Sequence, residues 1–84
     1  MTGADSISQE RTLTTTLRAV KRLPNSYNGN PRWLIAHGLG IDKTAPDSMC
    51  NYDVDNYACG ERVVLTFNRR GMIVAIERAA VPID

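Results

Sequence analysis

Apolar and polar positions alternate along much of this chain, and the period of that alternation predicts strands. Residues 12–23 read TLTTTLRAVKRL. Leu13, Thr15, Leu17 and Ala19 alternate with Thr14, Thr16 and Arg18, a period of two in a β-branched stretch, which predicts a strand. Leu13, Leu17 and Val20 also fall at i, i+4 and i+7, the spacing of a helical stripe. Three consecutive threonines count against the helix, because each loses χ1 freedom there, and the strand is preferred. Residues 24–31, PNSYNGNP, form a turn cluster in which Asn28-Gly29 tolerates positive φ at both positions. Residues 32–37, RWLIAH, then predict a second strand and a long hairpin over 12–37. Gly38-Leu39-Gly40 lets the chain turn into a short third strand over 41–44.

Residues 44–52, TAPDSMCNY, predict a short helix. Pro46 suits a first helical position, Asp47 would complement the helix dipole, and Met49, Cys50 and Tyr52 would cover one end of a barrel. Residues 51–60 are polar and turn-rich. The clearest signal follows: RVVLTF at 62–67 and MIVAIE at 72–77 flank Asn68-Arg69-Arg70-Gly71. That spacing of Asn and Gly predicts a hairpin built on a type I turn with a bulge. The last strand is apolar on both faces, with Met72, Val74 and Ile76 on one and Ile73 and Ala75 on the other. It is therefore expected to be central, or covered by the helical turn. The fold class is mainly β: a small curled antiparallel sheet or partly open barrel, SH3-like or oligonucleotide-binding-like, with one short helix.

Length and composition narrow the picture without changing it. Eighty-four residues suffice for one domain, expected over 11–84 behind a flexible polar tail at 1–10. An apolar content of 43% with 23% charged residues is that of a globular chain, which counts against disorder. No apolar run approaches the ~20 residues of a membrane helix, and residues 1–10 lack the basic start and apolar block of a secretory signal. A cytoplasmic protein with no membrane contact is expected. The net charge of +1 is unevenly spread: residues 42–61 hold five acids against Lys43, a local −4, so the rest carries +5. Asp47, Asp53 and Asp55 mark this acidic lobe. Eight of the ten basic residues are arginines, the side chain best suited to forked recognition of oxyanions.

Candidate chemistry is sparse. No Gly-rich phosphate loop, G-x-S-x-G elbow or H-E-x-x-H pair is present. His37, the single histidine, ends an apolar strand beside glycines and reads as a structural or surface residue rather than a general base. Asp53-x-Asp55-Asn56 lacks the Gly and Glu that a calcium loop needs at positions six and twelve. Cys50 and Cys59 are too few for a zinc site, and their acidic surroundings raise rather than lower a thiol pKa. They read as reduced thiols, with a disulfide between them left open. No catalytic residue, metal or cofactor is assigned.

Binding is the remaining class. Arg69 and Arg70 sit at a hairpin tip, Arg18, Lys21, Arg22 and Arg32 can line the first hairpin, and Tyr27 in the PNSYNGNP turn is expected to be exposed. Basic residues interleaved with aromatics are what single-strand binders use, although the pI near 7.8 is below that of most nucleic-acid binders. The segments LPNSYNGNPRW at 23–33, TAPD at 44–47 and G..V.LT....G.I..I at 60–76 resemble small uncharacterised proteins encoded by phages and prophages of high-GC bacteria, with Trp33 where Tyr is expected. The resemblance implies a compact β domain of phage origin and no catalytic residues. Together these features predict a non-enzymatic protein-binding module, a phage-encoded modulator of a host protein. The alternative is a small β-barrel that binds nucleic acid, and a homodimer through an open sheet edge is also compatible with the pattern.

Overall fold

A computed structural model describes residues 11–80 of the chain. The tail expected over 1–10 lies outside the described residues. Five antiparallel strands form one sheet: β1 (Arg11–Leu23), β2 (Arg32–His37), β3 (Gly40–Lys43), β4 (Arg62–Phe67) and β5 (Ile73–Arg78), in the order β3-β2-β1-β4-β5. Three strands joined by short turns, with the fourth returning by a long connection to lie beside the first, make a Greek key. Of the two expected templates, that connectivity fits the oligonucleotide-binding barrel, a partly open Greek key. The sheet is not closed. Its edges approach at one parallel bridge between Thr44 and Ile73, and the Ala45 N–H donates to the Ile73 carbonyl at 2.8 Å.

β1 is shared between two partners. Arg11 to Thr16 pair with β4, and Leu17 to Leu23 pair with β2. The register slips between Leu17 and Ala19, so Leu17 and Arg18 together oppose His37. An extra residue reverses the side-chain parity of everything after it. Leu13, Thr15 and Leu17 face inward before the bulge, and Val20, paired with buried Ile35, faces inward after it. Ala19, expected inward from simple alternation, is exposed. The i, i+4, i+7 spacing of Leu13, Leu17 and Val20 is thus the trace of a bulged strand.

β5 carries a second slip, opposite Thr66 and Phe67. It puts Ile73 and Ile76 inward together, which corrects the expected grouping of Met72, Val74 and Ile76. The slip also explains why both faces of this strand look apolar. β5 is an edge strand, and the connection before β4 covers it. The turn at 68–71 forms as expected. Gly71 has φ 82°, the Asn68 N–H donates to the Met72 carbonyl at 2.8 Å, and the Asn68 carboxamide oxygen accepts from the Arg70 and Met72 N–H groups.

The short helix expected over 44–52 does not form. Thr44 is bound into the sheet edge, and Asp47 adopts φ 64°, a left-handed conformation that no α-helix accommodates. Two 3-10 turns follow instead, Met49–Tyr52 and Val54–Asn56. They place Cys50 and Val54 against Leu17, Ile35, Val63, Leu65, Phe67, Ile73 and Ile76, which completes the core. Met49 and Tyr52, expected to cover a barrel end, point to solvent, and Cys50 and Asn51 take the buried positions. Side-chain bonds fasten this cap to β2 and to the edge strand β5. Trp33 Nε1 donates to the Asn51 carbonyl at 2.9 Å, Ser48 Oγ to the Val74 carbonyl at 3.0 Å, and Tyr57 Oη to the Ile76 carbonyl at 3.2 Å. None of the described helices is long and apolar enough to cross a membrane.

The bulge makes neighbouring residues respond oppositely to the same substitution. Val20→Asp puts an unpaired carboxylate against Ile35 and is expected to cost more than about 2 kcal/mol. Ala19→Asp is expected to change stability by no more than about 0.5 kcal/mol. Urea unfolding midpoints of the two variants measure the difference, and equal losses would contradict the register.

Candidate functional site

The Asn- and Ser-rich turn at 24–31 is held by a single carboxylate from a distant part of the chain. Ser26 Oγ donates to Asp47 Oδ1 at 2.5 Å, Asn30 Nδ2 to the same oxygen at 2.8 Å, and Asn28 Nδ2 to Oδ2 at 2.8 Å. The left-handed backbone at Asp47 places its carboxylate here, and Asp is one of the few residues that tolerates that conformation. Tyr52 Oη donates to Asn30 Oδ1 at 2.5 Å, which adds the first 3-10 turn to the cluster. Within the turn, the Ser26 N–H donates to the Asn30 carbonyl, the Gly29 N–H to the Ser26 carbonyl, and the Asn30 N–H to Ser26 Oγ. Gly29, at φ 87°, supplies the positive φ that closes it. Arg22 donates to Asn25 Oδ1 and lies 5.8 Å from the centre of the Trp33 ring.

This clasp presents large apolar side chains to water. Tyr27 sits in the middle of the clasped turn and is fully exposed, at 103% of its reference area. Met49 and Tyr52, one 3-10 turn apart and therefore on one face, are 79% and 55% exposed. The Asp47 hydrogen bonds join the segments that carry all three. Tyrosine and methionine are enriched in protein interfaces. A rigid loop also loses less conformational freedom when it binds.

The other candidate residues are dispersed. Arg32 is half-buried beside this loop, paired with Leu23. Arg69 and Arg70 are exposed at the β4–β5 tip, next to the Arg11 end of β1, whereas the clasped loop follows its Leu23 end. Arg18 occupies the bulge between the two. Asp53 and Asp55 are exposed on the 3-10 turns, so the acidic lobe divides. Asp47 is engaged by the loop, Asp42 by His37, and Glu61 by Arg78 and the Ala58 N–H.

His37 is committed at both ring nitrogens. The Leu39 N–H donates to Nδ1 at 3.2 Å, so Nε2 carries the proton that bonds Asp42 at 2.8 Å. The ring is buried and zips the β2–β3 turn. Both cysteines are free thiols. Cys50 is buried and Cys59 exposed, and burial pushes the Cys50 thiol above its ordinary pKa, with the Ser48 hydroxyl opposing. Sequence reasoning missed Asp47 as a structural centre, and it missed Met49 and Tyr52 as exposed groups. The available signals were five amide or hydroxyl side chains crowded into residues 25–30, with no carboxylate among them, and an aspartate directly after a proline. No family model matches the chain, and neither curated proteins nor solved structures yield a match.

Hydrogen bonds from Ser26, then Asn30 and Asn28, hold the Asp47 carboxyl below its ordinary value. A depressed folded pKa contributes stability above the unfolded value, and that contribution is lost as pH falls through the folded value. The clasp is therefore expected to loosen only below about pH 4. It is expected to loosen at neutral pH in Asp47→Ala, and less in Asp47→Asn, which keeps an acceptor and tolerates the backbone. Faster amide hydrogen exchange at Ser26, Gly29 and Asn30 is the readout, and unchanged exchange in Asp47→Ala would count against the clasp.

An aromatic disulfide reagent is expected to titrate one thiol, Cys59, in the native protein and both in denaturant. Rapid reaction of two thiols in the native state would show Cys50 to be accessible.

Proposed function

We propose that this chain is a non-enzymatic protein-binding module whose docking surface is the clasped loop at 24–31 together with the first 3-10 turn. The observation that carries this reading is the full exposure of Tyr27 on a loop fixed by the Asp47 hydrogen bonds. An aromatic side chain has few torsions to lose, and on a rigid loop it meets a partner already in place. Met49 and Tyr52 extend the apolar contact, and Arg22 and Arg32 beside the loop favour a partner with an acidic rim. In keeping with the resemblance of residues 23–33, 44–47 and 60–76 to phage-encoded proteins, the partner class is a host protein that the module modulates.

A second reading, a nucleic-acid-binding barrel, has its own support. On the outward face of β1, β2 and β3, Lys21, Leu34 and Lys43 form one cross-strand row, and Leu23 and Arg32 the next. The cations on this face have no acidic side chain in their rows. However, the face also has no aromatic side chain in those rows on which a base could stack, which ranks this reading second.

Affinity capture with the intact chain, compared with Tyr27→Ala and Arg70→Gln, tests the first reading. A stoichiometric partner is expected that Tyr27→Ala loses by roughly 30-fold or more in affinity and Arg70→Gln retains. Equal retention in both variants would remove the loop from the interface. Binding to single-stranded DNA that falls steeply with salt, and that Lys43→Gln weakens, would favour the second reading instead.

A further inference from the structure

Midway along β1 both neighbouring strands stop. β2 ends at His37 and β4 begins at Arg62, so at Thr16 and Leu17 the strand is flanked by the ends of two neighbouring strands. The Gly38 N–H donates to the Thr16 carbonyl on one side, and the Leu17 N–H donates to the Glu61 carbonyl on the other. The bulge at Arg18 falls at the same point. The result is an open groove of about 340 Å³ lined by Thr14, Thr15, Thr16, Arg18, Gly38, Leu39 and Arg62, a size within the range of small-molecule sites.

The lining is chemically one-sided. It holds two guanidinium groups and three hydroxyls, and no carboxylate. Arg62 Nη1 donates to Thr16 Oγ1 at 3.3 Å, and the Gly38 N–H donates to Thr15 Oγ1 at 3.1 Å. Each of these hydroxyls already accepts a hydrogen bond and so keeps its own hydrogen to donate. The nearest acid in sequence, Glu61, is turned to the Ala58 N–H and Arg78. Among the described residues, no carboxylate pairs with Arg18 or Arg62. A groove with two guanidiniums, hydroxyl groups and no carboxylate in its lining favours an oxyanion. Two forked guanidiniums with added hydroxyls suit the several oxygens of a phosphate group. Leu39, 70% exposed, adds an apolar wall.

From this arrangement we infer that the groove binds a phosphomonoester of about mononucleotide size, with its phosphate between Arg18 and Arg62 and its organic body against Leu39. The site lies away from the clasped loop and does not depend on the protein-binding reading. Bulges commonly re-aim a side chain at a functional position. Here the extra residue in β1 is the arginine that supplies half of the charge.

Backbone amide shifts of the folded chain, titrated with AMP and separately with inorganic phosphate at about 50 mM salt, test the inference. Saturable shifts confined to residues 14–18, 38–39 and 62 are expected with both, and AMP is expected to bind tighter. Arg18→Gln and Arg62→Gln should each weaken AMP at least about tenfold. Arg70→Gln, at the distant hairpin tip, should leave it unchanged. Leu39→Ser should remove the advantage of AMP over phosphate. Unfolding midpoints identify a variant that has lost its fold, and because either arginine can be removed alone, the other still decides. No saturable shift with either probe, or equal weakening by Arg70→Gln, overturns the site. Shifts in the groove with a single-stranded oligonucleotide but not with AMP overturn the small-ligand assignment in favour of a nucleic-acid backbone.

Discussion

The constraint on which the rest of this structure depends is that one strand must serve two partners. β1 gives its first six residues to β4 and the remainder to β2. A flat strand between two neighbours would yield an open sheet with one covered face and two distant edges. The extra residue at Leu17–Arg18 increases the local twist and bends the strand, and the edges β3 and β5 approach until Thr44 bridges Ile73. Without that curl the 3-10 turns could not touch both sides of the core. Cys50, Val54 and Tyr57 pack against residues from β1, β2, β4 and β5 together, so a single short cap completes the interior.

Much of this fold is legible in the residues. The hairpin at 62–78 announces itself through an apolar run, Asn68, Gly71 and a second apolar run, because turn chemistry is local. What escapes the sequence is parity. A bulge shifts the inward phase by one, and nothing about Arg18 distinguishes an extra residue from an ordinary exposed one. The same strand therefore looked partly helical, since Leu13, Leu17 and Val20 keep a spacing that simple alternation forbids. β5 repeats the lesson with Ile73 and Ile76, three apart and both buried. In both strands, a break in period-two alternation marks the place where the pairing slips.

The candidate sites were less legible for a different reason. Asp47 looked like a helix-dipole residue because its local context, Thr44-Ala45-Pro46-Asp47, is that of a helix start. Its partners Ser26, Asn28 and Asn30 lie 17 to 21 residues away, and no local pattern connects them. The same holds for Arg18 and Arg62, which share a groove only because β1 carries both partner strands past the same point. Arg69, Arg70 and Tyr27 were visible from the start because loop tips expose what they carry. Visibility on a tip is a local property, whereas convergence on a site depends on the whole topology.

The two surfaces divide the molecule along β1. At the Leu23 end, a carboxylate consumes three donors to hold a loop still, and charge is used to fix a shape. At the bulge, Arg18 and Arg62 have no carboxylate among the described residues to satisfy them, and charge is left available. The acids of residues 42–61 could have neutralised these arginines, yet Asp42, Asp47 and Glu61 are each engaged elsewhere, by His37, by the loop and by Arg78. An acidic segment in which Asp42, Asp47 and Glu61 are engaged, and Asp53 and Asp55 are exposed, coexists with an arginine-bearing groove that has no carboxylate in its lining. Net charge near neutrality is thus a poor guide to what this small domain can bind.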